Sequence, residues 1–462
     1  MRGDRRIRTE LLPTAAAILA VCGAGPALRA QDGEPVEALQ LDLRSDLQVA
    51  LGEAFAEPDR PLSADEARAA AAAAFAAWRT VVGPAFVGEV PPLPPRVEEL
   101  RALGAEEFRA GIRRAYSIRV GEHEMPYRLL RREPEAGPTG RAGGRPLYLC
   151  LHGGGQQATA EGPHAWDVNN REWDAQTALA AAVYPAEGLF LIPRMADDRL
   201  GRWWHRHQQI AFDRLIQVAI AHWGVDPDQV HLLGISEGGY GTDILAPFMP
   251  DRFAAANAMA AGVDPAGHPP ENLRNLPFRT DIGAGDTMYD RIGLARKFHA
   301  RLDALRGPAG GDGYLHVLAE QADRGHGIDY RPGVAWLGGR RREPWPRTVT
   351  WVSRVLDGRR RPACSWVGLD AGDAGEVRIE ARLDVDGNGV DLAVEPATGL
   401  RLRLMLRDEM LDLDEEVTVR INGSERFSGR VARTARHLVE TLAGRGDPQL
   451  CFPVVVELST GG

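Results

Sequence analysis

Cysteine is scarce, with four thiols in 462 residues at positions 22, 150, 364 and 451. No cysteine or histidine spacing resembles a zinc site, so no metal is expected. Lysine is also rare; the basic residues are nearly all arginine, Lys297 being an exception. Positive charge is not in excess, since the formal net charge is -9 and the sequence pI is near 5.8. That balance argues against a nucleic-acid or anionic-membrane partner. A hydrophobic content of 44% is globular, and the length suits two or three domains.

Residues 1–30 read as an export signal: Arg2, Arg5, Arg6 and Arg8, then an Ala-rich apolar stretch over 11–28, then small residues before Gln31. Cleavage after Ala30 predicts a secreted or periplasmic protein. Pro13, Gly23, Gly25 and Pro26 interrupt the stretch, so no membrane span is expected once it is removed. Val21 before Cys22 argues against a lipid anchor. Three cysteines then remain. Cys150, inside the run LYLCL, reads as a buried thiol, whereas Cys364 and Cys451 could bridge the first and last strands of the C-terminal region. In the chain-entropy model such a long loop is worth about 4 kcal/mol.

Over 63–82 the chain predicts a helix with a capping box at Ser63 and Glu66, part of a helical extension over 31–110 that packs on the next domain. Short extended runs at 116–120 and 126–130 predict an antiparallel pair. Apolar strands come next at 147–151, 189–192, 230–233, 254–260, 278–282 and 314–318, alternating with helical segments such as 208–223. That alternation predicts an α/β fold over 111–360 with a mostly parallel, doubly wound sheet. A last helix is expected around 345–358. From 361 to 462 the pattern becomes strict alternation separated by glycine turns, which predicts a small antiparallel β domain with one helix near 436–442.

Residues 230–241 read VHLLGISEGGYG, and Gly234-Ile235-Ser236-Glu237-Gly238 fits the nucleophile elbow, a strained strand-to-helix turn that presents a serine above the sheet. An activated serine needs a base, an acid and donors for the oxyanion. The glycines of Leu151-His152-Gly153-Gly154-Gly155 let backbone N–H groups converge, so Gly153 or Gly154, together with the backbone of Glu237, should donate. The acid is expected at Asp286, in a glycine turn after a later strand, in preference to Asp290 or Asp323. His326 between two glycines is the expected base, since His316 lies within a strand. Trp203 and Trp204, beside His205 and His207, either line the substrate cleft or pack the loop against the next helix.

The order Ser236, Asp286, His326 is that of α/β-hydrolases. Residues 116 to about 358 resemble secreted α/β-hydrolases of the esterase type, near the polyhydroxybutyrate depolymerase, feruloyl esterase and dienelactone hydrolase-like groups. Dienelactone hydrolases carry a cysteine where this chain has Ser236. The resemblance implies an acyl-enzyme mechanism on a small-molecule or polymer ester, with no cofactor. A peptidase of the prolyl-oligopeptidase type would use the same triad, but the large propeller usual there is absent. A cell-surface binding protein with a vestigial triad is the reading outside enzymes.

Two patterns in the C-terminal region are read as turns. Asp384, Asp386, Asn388, Gly389 and Glu395 have the spacing of an EF-hand loop, but strand-like flanks make them a hairpin. Asn422-Gly423-Ser424 matches the glycosylation triplet and is first a turn signal. With no nucleophile beside its single histidine, His437, the β domain is expected to be accessory, so a chain ending near Arg361 should keep its triad.

Overall fold

The computed structural model describes residues 57–133, 144–307 and 312–461, all within one compact unit. The expected export signal lies outside the described residues. Helix α1 (Ala64–Val87) starts with the capping box of Ser63 and Glu66. Its buried residues Ala74, Trp78, Val82 and Phe86 recur every four positions, which puts one stripe against the protein. Although α1 has the length and apolarity of a membrane span, that stripe joins the core that also holds Phe212 and Leu442. Short helices α2 (Val97–Leu103) and α3 (Ala105–Ile112) lead to the sheet.

The sheet has eight strands: β1 (Ala115–Val120), β2 (His123–Arg132), β3 (Arg145–Leu151), β4 (Gly188–Pro193), β5 (Val225–Ile235), β6 (Ala255–Met259), β7 (Phe278–Gly283) and β8 (His316–Gln321). Their order is β1-β2-β4-β3-β5-β6-β7-β8. From β4 to β8 every pair is parallel, while β2 runs against both β1 and β4. Parallel neighbours require crossovers, supplied by helices α4 (Asp167–Ala182), α5 (Arg206–His222), α6 (Glu237–Phe248) and α7 (Arg291–Arg306). Strand pleating splits the core in two. Leu147, Leu149 and Leu151 of β3 face the cluster holding Trp78, Phe212 and Leu245, whereas Tyr148 and Cys150 face the cluster holding Ala180 of α4 and Val334 of α8 (Arg331–Leu337). A sheet covered on both faces leaves one place for a site, the loops at the carboxyl ends of its strands.

The C-terminal region is a pair of sheets around its own apolar core, which includes Trp351, Trp366, Leu404 and Phe452. A five-stranded sheet runs Ser424–Gly429, Val417–Ile421, Gly389–Glu395, Val377–Asp384 and Thr348–Ser353; a four-stranded one runs Ala363–Cys364, Val367–Asp370, Arg401–Leu406 and Val454–Ser459. Helix α9 (Ala435–Arg445) packs back on α1.

Two expectations are corrected here. The helix expected around 345–358 is instead strand Thr348–Ser353 and a tight ribbon of Val355–Leu356 with Arg359–Arg360. The run Thr-Val-Thr-Trp-Val is β-branched and aromatic, and it pairs along Val377–Asp384. The β region therefore takes its first strand from ahead of residue 361. The second correction concerns the thiols: Cys150, Cys364 and Cys451 are all free and buried. Cys364 packs in the core between the two β sheets, whereas Cys451 packs in the core that holds Phe212 and Leu442 and its thiol donates to the Leu438 carbonyl at 3.4 Å. The EF-hand-like residues do form a hairpin, with Asp384 opposite Gly389 and Glu395 at the far end opposite Arg378.

Candidate active site

Strand β5 ends at Ile235 and helix α6 begins at Glu237, leaving Ser236 to make the whole turn. Its backbone sits at φ 55° and ψ -112°, a conformation that a serine holds only when its surroundings impose it. They do so through close contact. A Cβ on Gly238 would lie 2.2 Å from the Leu151 carbonyl oxygen, so only glycine lets the elbow helix settle onto the end of β3. The Ser236 N–H donates to the Met259 carbonyl at 2.9 Å, fixing the elbow to β6 as well.

Ser236, His326 and Asp286 form one hydrogen-bonded chain. The Ser236 hydroxyl lies 3.0 Å from His326 Nε2, and His326 Nδ1 lies 2.8 Å from Asp286 Oδ2. With Nδ1–H donating to the carboxylate, Nε2 is left to accept the serine proton. Asp286 is buried, with 2% of its side chain exposed, while 46% of His326 is open to solvent. The acid loop and the base loop are tied together by the Gly285 N–H, which donates to the Arg324 carbonyl at 2.9 Å. Across the base loop, Gln321 accepts from the Asp329 N–H and donates to the Asp329 carbonyl, both at 2.8 Å. Asp290, the competing acid, heads α7 in a left-handed conformation and is 4.0 Å from Lys297.

The loop after β3 is held from behind by a buried polar network that the sequence did not reveal. Asn169 on α4 accepts from the Gly155 N–H and donates to the Gly155 carbonyl, each at 3.0 Å, and donates to Asp198 at 2.7 Å. Asp198 is paired with Arg194, and both are essentially unexposed. His152 accepts the Met195 N–H at Nε2 and sits 2.6 Å from the Gly153 carbonyl at Nδ1. Burial and the Arg194 charge push its pKa down to about 3, so the ring is a neutral strut. Gly154 has φ +101°, and a Cβ there would fall 2.0 Å from Asn169 Oδ1. The Asn169 clamp uses the Gly155 amide, so Gly155 is not among the donors expected for the oxyanion. The N–H of Glu237, the first residue of α6, has no intrahelical partner and points along the same N-terminus.

Trp203 belongs to this support. It is fully buried, its indole N–H donates to the His152 carbonyl at 3.0 Å, and its ring meets the His152 ring edge-on. The packing alternative therefore holds for Trp203, which does not reach the cleft. Trp204 is partly exposed and lies 5.8 Å under the Arg202 guanidinium. The buried carboxylate of Glu237 pairs with Arg202 at 2.7 Å, and burial raises its pKa. Glu172 of α4 also approaches, since a Cβ on Gly153 would lie 2.8 Å from its Oε2; burial raises its pKa while the nearby His326 lowers it. Among the described residues, no group of three or more acidic, histidine or cysteine side chains is arranged to hold a metal. A hollow of about 480 Å³ at the sheet edge is lined by residues such as Arg119, His123 and His164 and includes no member of the triad.

Strand order, elbow and triad together define the class: the chain has the α/β-hydrolase fold. It matches no protein-family model. Over 217 residues it is 30% identical to "Putative esterase NocK" of Nocardia uniformis subsp. tsuyamanensis, covering 44% of this chain and 60% of that relative. Among solved structures it resembles a thermostable esterase (20% identity, TM-score 0.35, covering 50% of this chain and 63% of the other). It also resembles the LpqC poly(3-hydroxybutyrate) depolymerase of Bordetella parapertussis (16%, TM-score 0.32, 46% and 84%) and an acylaminoacyl peptidase of Pyrococcus horikoshii (14%, TM-score 0.32, 48% and 38%).

Proposed function

We propose that this protein is a serine hydrolase that cleaves carboxylic esters through an acyl-enzyme. The observation that carries the reading is the Ser236–His326–Asp286 chain, mounted on the strained elbow at φ 55° and ψ -112°. Ser236 Oγ attacks the ester carbonyl as His326 Nε2 takes its proton, and the negative oxygen that develops is received by the Gly153 or Gly154 N–H and the Glu237 N–H. His326 then protonates the leaving alcohol, and the carbonyl re-forms as the acyl-serine. Water, deprotonated by the same nitrogen, attacks the acyl group; the acyl–Oγ bond then breaks, His326 returns the proton to Ser236 Oγ, and the acid is released. Asp286 holds the imidazole in the tautomer that both steps need. The partial match to a relative named as an esterase supports ester over amide substrates.

Ser236→Ala should lower the turnover of short p-nitrophenyl esters by several orders of magnitude and abolish labelling by a fluorophosphonate probe. Turnover at the level of the unaltered chain would refute the reading.

A further inference from the structure

We propose that Arg291 and Tyr240 are positioning residues for the base, clamping the second oxygen of Asp286 to the helix that carries Ser236. The inference rests on the serine-hydrolase reading and deepens it. His326 occupies only one carboxylate oxygen; the other, Oδ1, accepts from Arg291 Nη1 at 3.1 Å. Arg291 Nε donates in turn to the Tyr240 hydroxyl at 2.9 Å. Tyr240 stands one turn into α6, and its N–H donates to the Ser236 carbonyl at 3.0 Å. The circuit therefore leaves Ser236 through its side chain, passes through His326, Asp286, Arg291 and Tyr240, and returns to Ser236 through the backbone.

Its geometry is built by strained local structure. Tyr289 and Asp290 both adopt left-handed backbone, at φ 56° and 55°, and neither is a glycine. That pair reverses the chain between the acid and α7, so Arg291, five residues after Asp286, lies back over its carboxylate. The Ile292 N–H closes the turn on the Asp286 carbonyl at 3.2 Å. Arg291 is buried, with 8% of its side chain exposed, and the exposed Tyr289 ring covers it at 5.1 Å. A buried guanidinium of this kind costs desolvation, and the paired carboxylate offsets that cost only with good geometry.

The clamp has a geometric and an electrostatic consequence. Held at both oxygens, Asp286 cannot rotate, and the imidazole stays aimed at Ser236. The Arg291 charge also cancels part of the Asp286 charge that a protonated imidazole feels. Other charged and titratable groups around the circuit are Glu172 from α4, facing His326, and Glu237 and Asp243 from α6, facing Arg291 and Tyr240. Arg324 stands two residues before the base on its own loop. Among the described residues only Arg291 donates a side-chain hydrogen bond to the acid's free oxygen, so its removal strengthens the hold of Asp286 on a protonated His326. The acid limb of the activity profile then moves to higher pH.

The test is the pH profile of kcat/KM, with kcat and KM separately, on a short p-nitrophenyl ester for the full chain and for Arg291→Met, Arg291→Lys and Tyr240→Phe. Arg291→Met should lower kcat about tenfold or more, leave KM within a few fold, and raise the acid-limb midpoint by about half a pH unit or more. Arg291→Lys keeps the charge and loses the fork, so kcat should fall while the midpoint stays. Tyr240→Phe should give a smaller loss of kcat at an unchanged midpoint. An Arg291→Met protein that melts like the parent and keeps its midpoint overturns the clamp. Should that variant fail to fold, Arg291→Lys at parental kcat overturns it instead. Ester turnover that survives Ser236→Ala refutes the hydrolase reading itself, a result separate from any of these.

Discussion

Ser236 and Gly154 are each fixed by contacts from outside their own loops: Ser236 by the Met259 carbonyl, which accepts its N–H. For Gly154 the fixing residue is Asn169, which holds the next peptide through both its N–H and its carbonyl. Asn169→Ala should leave the triad hydrogen bonds intact while freeing the oxyanion donors, so kcat should drop by about 10- to 1,000-fold with KM little changed. Steady-state kinetics check this, and a variant with parental kcat would show that Asn169 does not hold the donors. The triad itself was legible in the sequence because each member sits beside glycines in a short motif. Asn169, Asp198 and Arg291 were not: ordinary polar residues on helices and loops, they acquire meaning only when the fold brings distant stretches together. For Trp203 the sequence left cleft lining and loop packing open, since an indole next to a cleft reads the same whether its ring faces substrate or its N–H props a carbonyl.

At the scale of elements, α1 is the least conventional part. It is not part of the eight-stranded sheet, yet it lies between α5 of the catalytic region and α9 of the β region. Trp78 anchors it, fully buried beside Phe75. Trp78→Ala leaves a cavity that a helix packed on two partners cannot easily collapse, and should cost about 3–5 kcal/mol in a denaturant titration. A loss under about 1 kcal/mol would mean that α1 contributes little to the core. This helix was readable from Ser63, Glu66 and the alanine run, and the six parallel strands from their apolar content. The strand Thr348–Ser353 was not, because its pairing partner lies some thirty residues later and its own sequence lies between Pro346 and a glycine turn.

For the whole molecule, the β region and the catalytic region share buried charge. Asp251, next to the eight-stranded sheet, pairs with Arg445 of α9 and Arg361; Arg342 pairs with Asp228 at 2.8 Å and with Asp447 at 2.8 Å. These groups are almost wholly buried. Breaking a buried pair strands a charge in a medium that does not solvate it. A chain ending at Arg361 loses Arg445 and Asp447 and leaves Thr348–Ser353 without its neighbour strand. It should show no cooperative melt, whereas the sequence leads to the expectation that such a chain keeps its triad, losing stability if the two domains share an apolar interface. A cooperative melt with parental probe labelling would bear that expectation out. The junction is invisible in the sequence because charged residues are ordinarily solvated, and nothing local marks those that fold inward.

The central claim is that Ser236 becomes acylated during turnover. Intact-protein mass spectrometry after rapid quenching of a p-nitrophenyl ester reaction, together with peptide mapping, tests it most directly. The predicted result is one acyl group per chain, on the peptide containing Ser236, absent from Ser236→Ala. An acyl group on another residue, or steady turnover by the Ser236→Ala chain, would contradict it.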